Sequence, residues 1–155
     1  MKIRGAGRSD RTRIHEILVS TARFTEQEIV WAMELVDHPN KEEYETHVLE
    51  DADARVQGYV LFGPTPMAEG VFDLYWIAVD PKRQGQGCGQ LLLRFVENEV
   101  RRRSGRMLLI ETSSKRSYAP TVRFYQRAGY CEISRIKDFY RIEDDKVVFS
   151  KNLQG

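Results

Sequence analysis

Ile77-Ala78-Val79-Asp80-Pro81-Lys82-Arg83-Gln84-Gly85-Gln86-Gly87-Cys88-Gly89-Gln90 carries the chain from an apolar run through a glycine-dense turn into a helical repeat. Upstream, Val71 to Val79 is rich in aromatic and β-branched residues and predicts a central strand, stopped by Asp80-Pro81. Downstream, Leu91, Leu92, Phe95, Val96 and Val100 recur at helical spacing, so Cys88 to Arg103 predicts a helix with Ser104-Gly105 as its exit. A strand, a glycine turn and a helix start in that order aim several backbone N–H groups, and the positive end of the helix dipole, at one spot. A phosphate or pyrophosphate suits that spot. Composition alone leaves a second reading open, in which the glycines serve only the dihedrals of a tight turn; Lys82 and Arg83 beside them favour the anion. The Gly-x-Gly-x-Gly run in mid-chain is not the Gly-x-Gly-x-x-Gly of a dinucleotide site, and the Gly-Lys-Ser/Thr of a Walker loop is absent.

Working outward, Lys2 to Ala6 reads as a short strand. Asp10 is placed to cap a helix over Arg11 to Thr21, with Ile14, Ile17 and Leu18 on one face. Thr25 and Glu28 form a capping box for a second helix, with Phe24 stapled onto Ile29 and a stripe through Val30, Met33 and Leu35, ended by His38-Pro39-Asn40. Tyr44 to Leu49 and Ala54 to Phe62 read as a hairpin turning at Asp51-Ala52-Asp53, broken by Gly63-Pro64. Met107 to Thr112 is a further strand, and Pro120 opens a short helix through Ala128 that Gly129 ends. Strands over Tyr130 to Ile136 and Lys146 to Ser150 close the chain, and the acidic Glu143-Asp144-Asp145 reads as a turn. The expected fold is α/β (α+β): one domain over residues 1–155, with a mixed sheet.

The 155 residues, 41% hydrophobic, can fill one core without disulfides or metals. Twenty-four basic against 23 acidic residues leave a net charge of +1, so no general attraction to nucleic acid or an anionic membrane is expected. Arg101-Arg102-Arg103 with Arg106 is read as a solvated helix end whose cations complement the dipole. No signal peptide or membrane-spanning run is evident, and a cytoplasmic protein is expected. Cys88 and Cys131 are read as free thiols, and His15, His38 and His47 form no motif, so no metal site is expected.

Gln84-x-x-Gly87-x-Gly89 resembles the Gln/Arg-x-x-Gly-x-Gly/Ala signature of the GNAT superfamily of N-acetyltransferases, and Leu74-Tyr75-Trp76-Ile77-Ala78-Val79-Asp80-Pro81 resembles its central strand. Ala119 to Tyr130, with Phe124-Tyr125 ahead of Gly129-Tyr130, is similar to the family's second signature. The element order agrees over almost the whole chain. The resemblance implies a mostly antiparallel central sheet with helices on both faces, splayed between the Val71–Val79 and Met107–Thr112 strands to admit the pantetheine arm of acetyl-CoA. It places the donor against Ile77, Ala78, Val79, Arg83, Gln84, Gly85, Gln86, Gly87, Cys88, Gly89, Gln90, Thr112, Tyr118 and Tyr125. Tyr118 stands where the family often carries Asn, a departure from its pattern.

Acetyl transfer to an amine needs a neutral nucleophile, an oriented carbonyl, oxyanion stabilisation and a proton for the leaving thiolate. The resemblance gives the last role to Tyr125, whose phenol, titrating at ~10, matches a thiolate leaving group. It gives the oxyanion to a backbone N–H near Ala78 or Val79. Asp73, placed by alternation on the same face as Tyr75 and Ile77, and Glu111 on the neighbouring strand are the candidate bases, acting through water because a carboxylate at ~3.9 cannot match an ammonium at ~10.4. Cys88, at a helix start, is read as a packing residue rather than an acyl carrier. The acceptor is a small-molecule or peptide amine, and the protein a monomer or homodimer. A non-catalytic acyl-CoA-binding domain is the alternative, and a donor longer than acetyl a third possibility.

Overall fold

The computed structural model describes residues 1–40 and 42–154. Its seven strands are β1 (Lys2–Gly5), β2 (Glu45–Glu50), β3 (Val56–Pro64), β4 (Val71–Val79), β5 (Met107–Ser113), β6 (Cys131–Arg141) and β7 (Asp144–Asn152). Four helices join them: α1 (Arg11–Ser20), α2 (Glu26–Asp37), α3 (Cys88–Arg102) and α4 (Ala119–Arg127). The strands form one sheet in the order β1-β2-β3-β4-β5-β7-β6, in which only β4 and β5 run parallel. The protein is thus a mixed α/β fold with a mostly antiparallel sheet.

Both faces of the sheet are covered. On one, Leu92, Val96 and Val100 of α3 and Tyr125 of α4 pack on Phe62, Leu74 and Phe149. On the other, Ile14, Ile17 and Leu18 of α1 and Ala32 and Met33 of α2 pack on Val48, Tyr59 and Leu61. Central β3 is buried along almost its whole length because it has helices on both sides. Edge strand β6 is exposed throughout.

Local packing corrects several sequence expectations. Asp10 does not cap α1 with its side chain; Arg4 and the Gly7 N–H hold its carboxylate instead, at 2.8 Å and 2.7 Å. The capping box is half formed: Thr25 Oγ1 accepts from the Glu28 N–H at 3.1 Å, while the Glu28 carboxylate turns away to Tyr118. Leu91 and Val30 face solvent, and Leu93 takes the core place expected of Leu91, because a three-leucine run offers two choices of face to one stripe. Gly63 and Pro64 do not break β3 but form its last two residues, paired with Asp73 and Phe72. The β6–β7 hairpin is longer than expected, and Asp144 opens β7 as a buried residue whose carboxylate receives the Ser113 hydroxyl.

One irregularity shapes the site. The register between β3 and β4 pairs Leu61 with Trp76 but Phe62 with Leu74, so Tyr75 is an extra residue, a β-bulge. A bulge reverses alternation. Phe72 and Leu74 before it, and Ile77 and Val79 after it, therefore all contribute to the α3 face, while Trp76 and Ala78 join the α1–α2 face. Asp73 consequently does not share a face with Ile77, as simple alternation had placed it.

Candidate active site

The glycine turn is fixed from below. Asp80 is buried; its carboxylate accepts from the Lys82 N–H at 2.9 Å and is paired with Arg13 of α1. Burial raises its pKa, but these two partners outweigh burial and hold it below the ordinary carboxylate value. The Arg83 N–H closes the turn on the Asp80 carbonyl at 2.7 Å, and Gln84 Nε2 reaches back to the Val79 carbonyl at 3.4 Å.

Gly85 and Gly87 have φ of +77° and +83°, a region that disfavours any residue with a Cβ. A Cβ built on either would meet nothing within 4 Å, so they face open space. Gly89 is different: there a Cβ would lie 3.4 Å from the Phe124 ring, so the start of α3 packs closely on α4. From Gly85 to Gln90, six consecutive N–H groups donate to no acceptor among the described residues. Unpaired backbone donors in sequence at a helix start form an anion cradle.

In front of this cradle lies a cavity of about 450 Å³. Of the residues assigned to the donor, Ile77, Ala78, Val79, Gln84, Gly85 and Gly87 line it, together with Cys88, Gly89, Gln90 and Tyr125. Arg83 and Gln86 do not: Arg83 turns to Asp51, 3.4 Å away, and Gln86 Nε2 donates to the Lys82 carbonyl. Pro120, Thr121, Phe124 and Ala128 of the α4 segment supply the far wall. The sequence reading missed these, although Phe124 sits beside Tyr125 in the same signature.

β4 and β5 pair only from Val71–Met107 to Leu74–Ile110. Beyond that point they splay, and a second cavity of about 430 Å³ opens between them, walled by α2 and the end of the β6–β7 hairpin. Glu111, Thr112 and Tyr118 line this second cavity rather than the first. Asp73 lines neither; it accepts from Thr65 Oγ1 at 2.8 Å, and burial raises its carboxyl above the usual range against that bond. Glu111 lies 3.3 Å from Lys146. The Tyr118 hydroxyl donates to Glu28 at 3.0 Å; burial first, then that carboxylate, raise the phenol well above its ordinary value. Glu28 is a wall residue that the sequence reading had spent on a cap.

Arg23, Phe24, Ile77, Thr121 and Tyr125 line both cavities, which therefore meet at Tyr125. Tyr125 is 4% exposed and its hydroxyl makes no hydrogen bond among the described residues. Burial raises its pKa strongly, and the charge of nearby Arg23 only partly opposes that. A phenol held protonated between two cavities can donate a proton to a group placed in either. Cys88 is buried and its thiol pushed up by desolvation, the opposite of an activated nucleophile. Among the described residues no group of His, Cys, Asp and Glu could hold a metal ion, and no helix is long and apolar enough to cross a membrane.

Residues 42–132 match the acetyltransferase (GNAT) domain family. The solved structure of an acetyltransferase assigned to the GNAT family from Desulfovibrio desulfuricans is 40% identical, with a TM-score of 0.93 over 99% of both chains. The fold also resembles an aminoglycoside 6'-N-acetyltransferase complexed with coenzyme A, at 15% identity and a TM-score of 0.77 over 100% of this chain and 98% of that one. It resembles the ribosomal-protein-S18-alanine N-acetyltransferase of Escherichia coli as well, at 18% identity and a TM-score of 0.75 over 99% and 94%. No curated protein matches the chain. The match over residues 42–132 and the 40% identical relative show that the chain belongs to the GNAT acetyltransferase family.

Proposed function

We propose that this one domain transfers an acetyl group from acetyl-CoA to a primary amine by direct attack in a ternary complex. The observation that carries the proposal is the meeting of two cavities at Tyr125, one of them bordered by the unpaired N–H groups of Gly85 and of Gly87 to Gln90. Acetyl-CoA supplies an activated thioester. The residues fit it: Gly85 to Gln90 would hold the pyrophosphate, and the edge of β4 from Ile77 to Val79, left without a β5 partner, would hold the arm. Tyr125 would donate its proton to the departing sulfur, which explains why it is kept neutral and unbonded. The amine would enter from the second cavity.

Of the two candidate carboxylates only Glu111 lines that cavity, so we assign it the amine's proton through water. We accordingly expect Glu111→Gln to weaken the fall of kcat/KM on the acid side, and Asp73→Asn to leave that profile in place. The reverse pattern contradicts the assignment. A CoA-binding domain without turnover would need no acid at the junction. Tyr125→Phe separates the readings: release of free CoA with an amine acceptor should fall by about 10²–10⁴-fold while acetyl-CoA still binds. Unaltered release contradicts the role given to Tyr125.

A further inference from the structure

Arg23 is a cation without a counter-ion at the junction of the two cavities. It precedes α2, lines both cavities and donates from Nη1 to Thr121 Oγ1 at 3.1 Å, on the helix that carries Tyr125. No carboxylate lies within ion-pair distance of it among the described residues. One neutral hydrogen bond leaves most of a guanidinium's forked N–H donors unspent. The acids of the acceptor cavity are in a different state. Glu28 accepts from Tyr118 and lies 3.8 Å from Lys115, Glu111 lies 3.3 Å from Lys146, and Asp144 accepts from Ser113 and lies 4.0 Å from Arg141, so each has a cation beside it. The cavity thus offers a free cation at its inner end and no free carboxylate to balance a second positive charge.

That balance disfavours polycationic acceptors and favours an amine whose near neighbour is an anion. The walls are aromatic: Phe24 packs on Trp76 at 5.5 Å between ring centroids, and Trp31 lines the cavity while 55% exposed. We infer that the acceptor is a free amino acid with an apolar or aromatic side chain, its carboxylate held by Arg23 while its amine faces Tyr125. A carboxylate two bonds from the amine is the geometry a guanidinium beside the reaction centre can reach, and two parallel N–H bonds would fix the amine's direction. Thr121 is a positioning residue for Arg23.

This inference rests on the acetyltransferase reading, and its test separates the two. Free CoA is measured with phenylalanine, phenylalaninamide, phenethylamine, spermidine and kanamycin as acceptors, for the wild type, Arg23→Gln and Thr121→Val. The wild type should favour phenylalanine over its amide by about ten-fold or more in kcat/KM, as a charge-assisted pair requires. Arg23→Gln should erase that preference through the acceptor's KM, with acetyl-CoA KM unchanged, and Thr121→Val should reduce it part way. Equal loss for every acceptor in Arg23→Gln overturns the inference, since a role on the donor or in folding would act that way. Turnover of the amide, spermidine or kanamycin in preference to phenylalanine also overturns it and leaves the acetyltransferase reading standing. No release with any amine overturns both.

Discussion

At the scale of single residues, the site is defined by what is left unpaired. The Tyr125 hydroxyl, where two cavities meet, and the amides of the largely exposed Gly85–Gln90 turn have no partner among the described residues. His47 is the instructive contrast. It is packed between Phe62 and Phe95, with Nδ1 buried and unbonded, outside both cavities. Desolvation lowers its pKa below the ordinary 6.5 against the attraction of Glu45 and Glu99. A depressed histidine is neutral when folded and takes up a proton more readily when unfolded. Its contribution to stability is therefore whole above about pH 6.5 and declines as pH falls from there toward the lower folded value. The midpoint of urea denaturation should drop over that interval, and His47→Phe should flatten that part of the curve. An unchanged curve would mean that other groups govern acid stability.

At the scale of elements, the glycine cradle and the second cavity, proposed for donor and acceptor, differ in how far apart their parts lie in the chain. The cradle is local: one strand end, one turn and one helix start, within the fourteen residues that opened the sequence reading. That is why most of its lining could be read directly. The acceptor cavity is assembled from α2, β4, β5, α4 and the β6–β7 hairpin, which no spacing rule links. Arg23 and Glu28 were therefore invisible as wall residues, and the bulge at Tyr75, which no residue type announces, moved Asp73 out of reach. Two outcomes follow for the cradle. Gly87→Ala would force a Cβ into a left-handed position, costing about 1–2 kcal/mol without a clash inside the protein, and should weaken acetyl-CoA binding measured by calorimetry. Asp80→Ala should cost about 1–2 kcal/mol in chemical denaturation, because the Lys82 N–H loses its acceptor while the half-buried Arg13 keeps only Glu16 and the Val56 carbonyl.

At the scale of the whole molecule, the sheet separates the two functions that transfer requires. Antiparallel pairing on either side makes a rigid frame, and the single parallel pair, β4 with β5, is held together at one end and open at the other. Donor and acceptor would approach Tyr125 from different cavities through that opening, with no need for the protein to carry the acyl group between them. The burial of Cys88 agrees with this. The element order was legible from period and turn residues, and the covering of both sheet faces only from the family resemblance; the length of β6 was not legible, because an edge strand exposed throughout has no buried face to reveal its period. Simultaneous occupancy of both cavities is the central claim, and initial rates of CoA release over a matrix of acetyl-CoA and amine concentrations test it. Double-reciprocal lines that intersect are the predicted result; parallel lines, accompanied by an acetylated protein in the absence of amine, would contradict it.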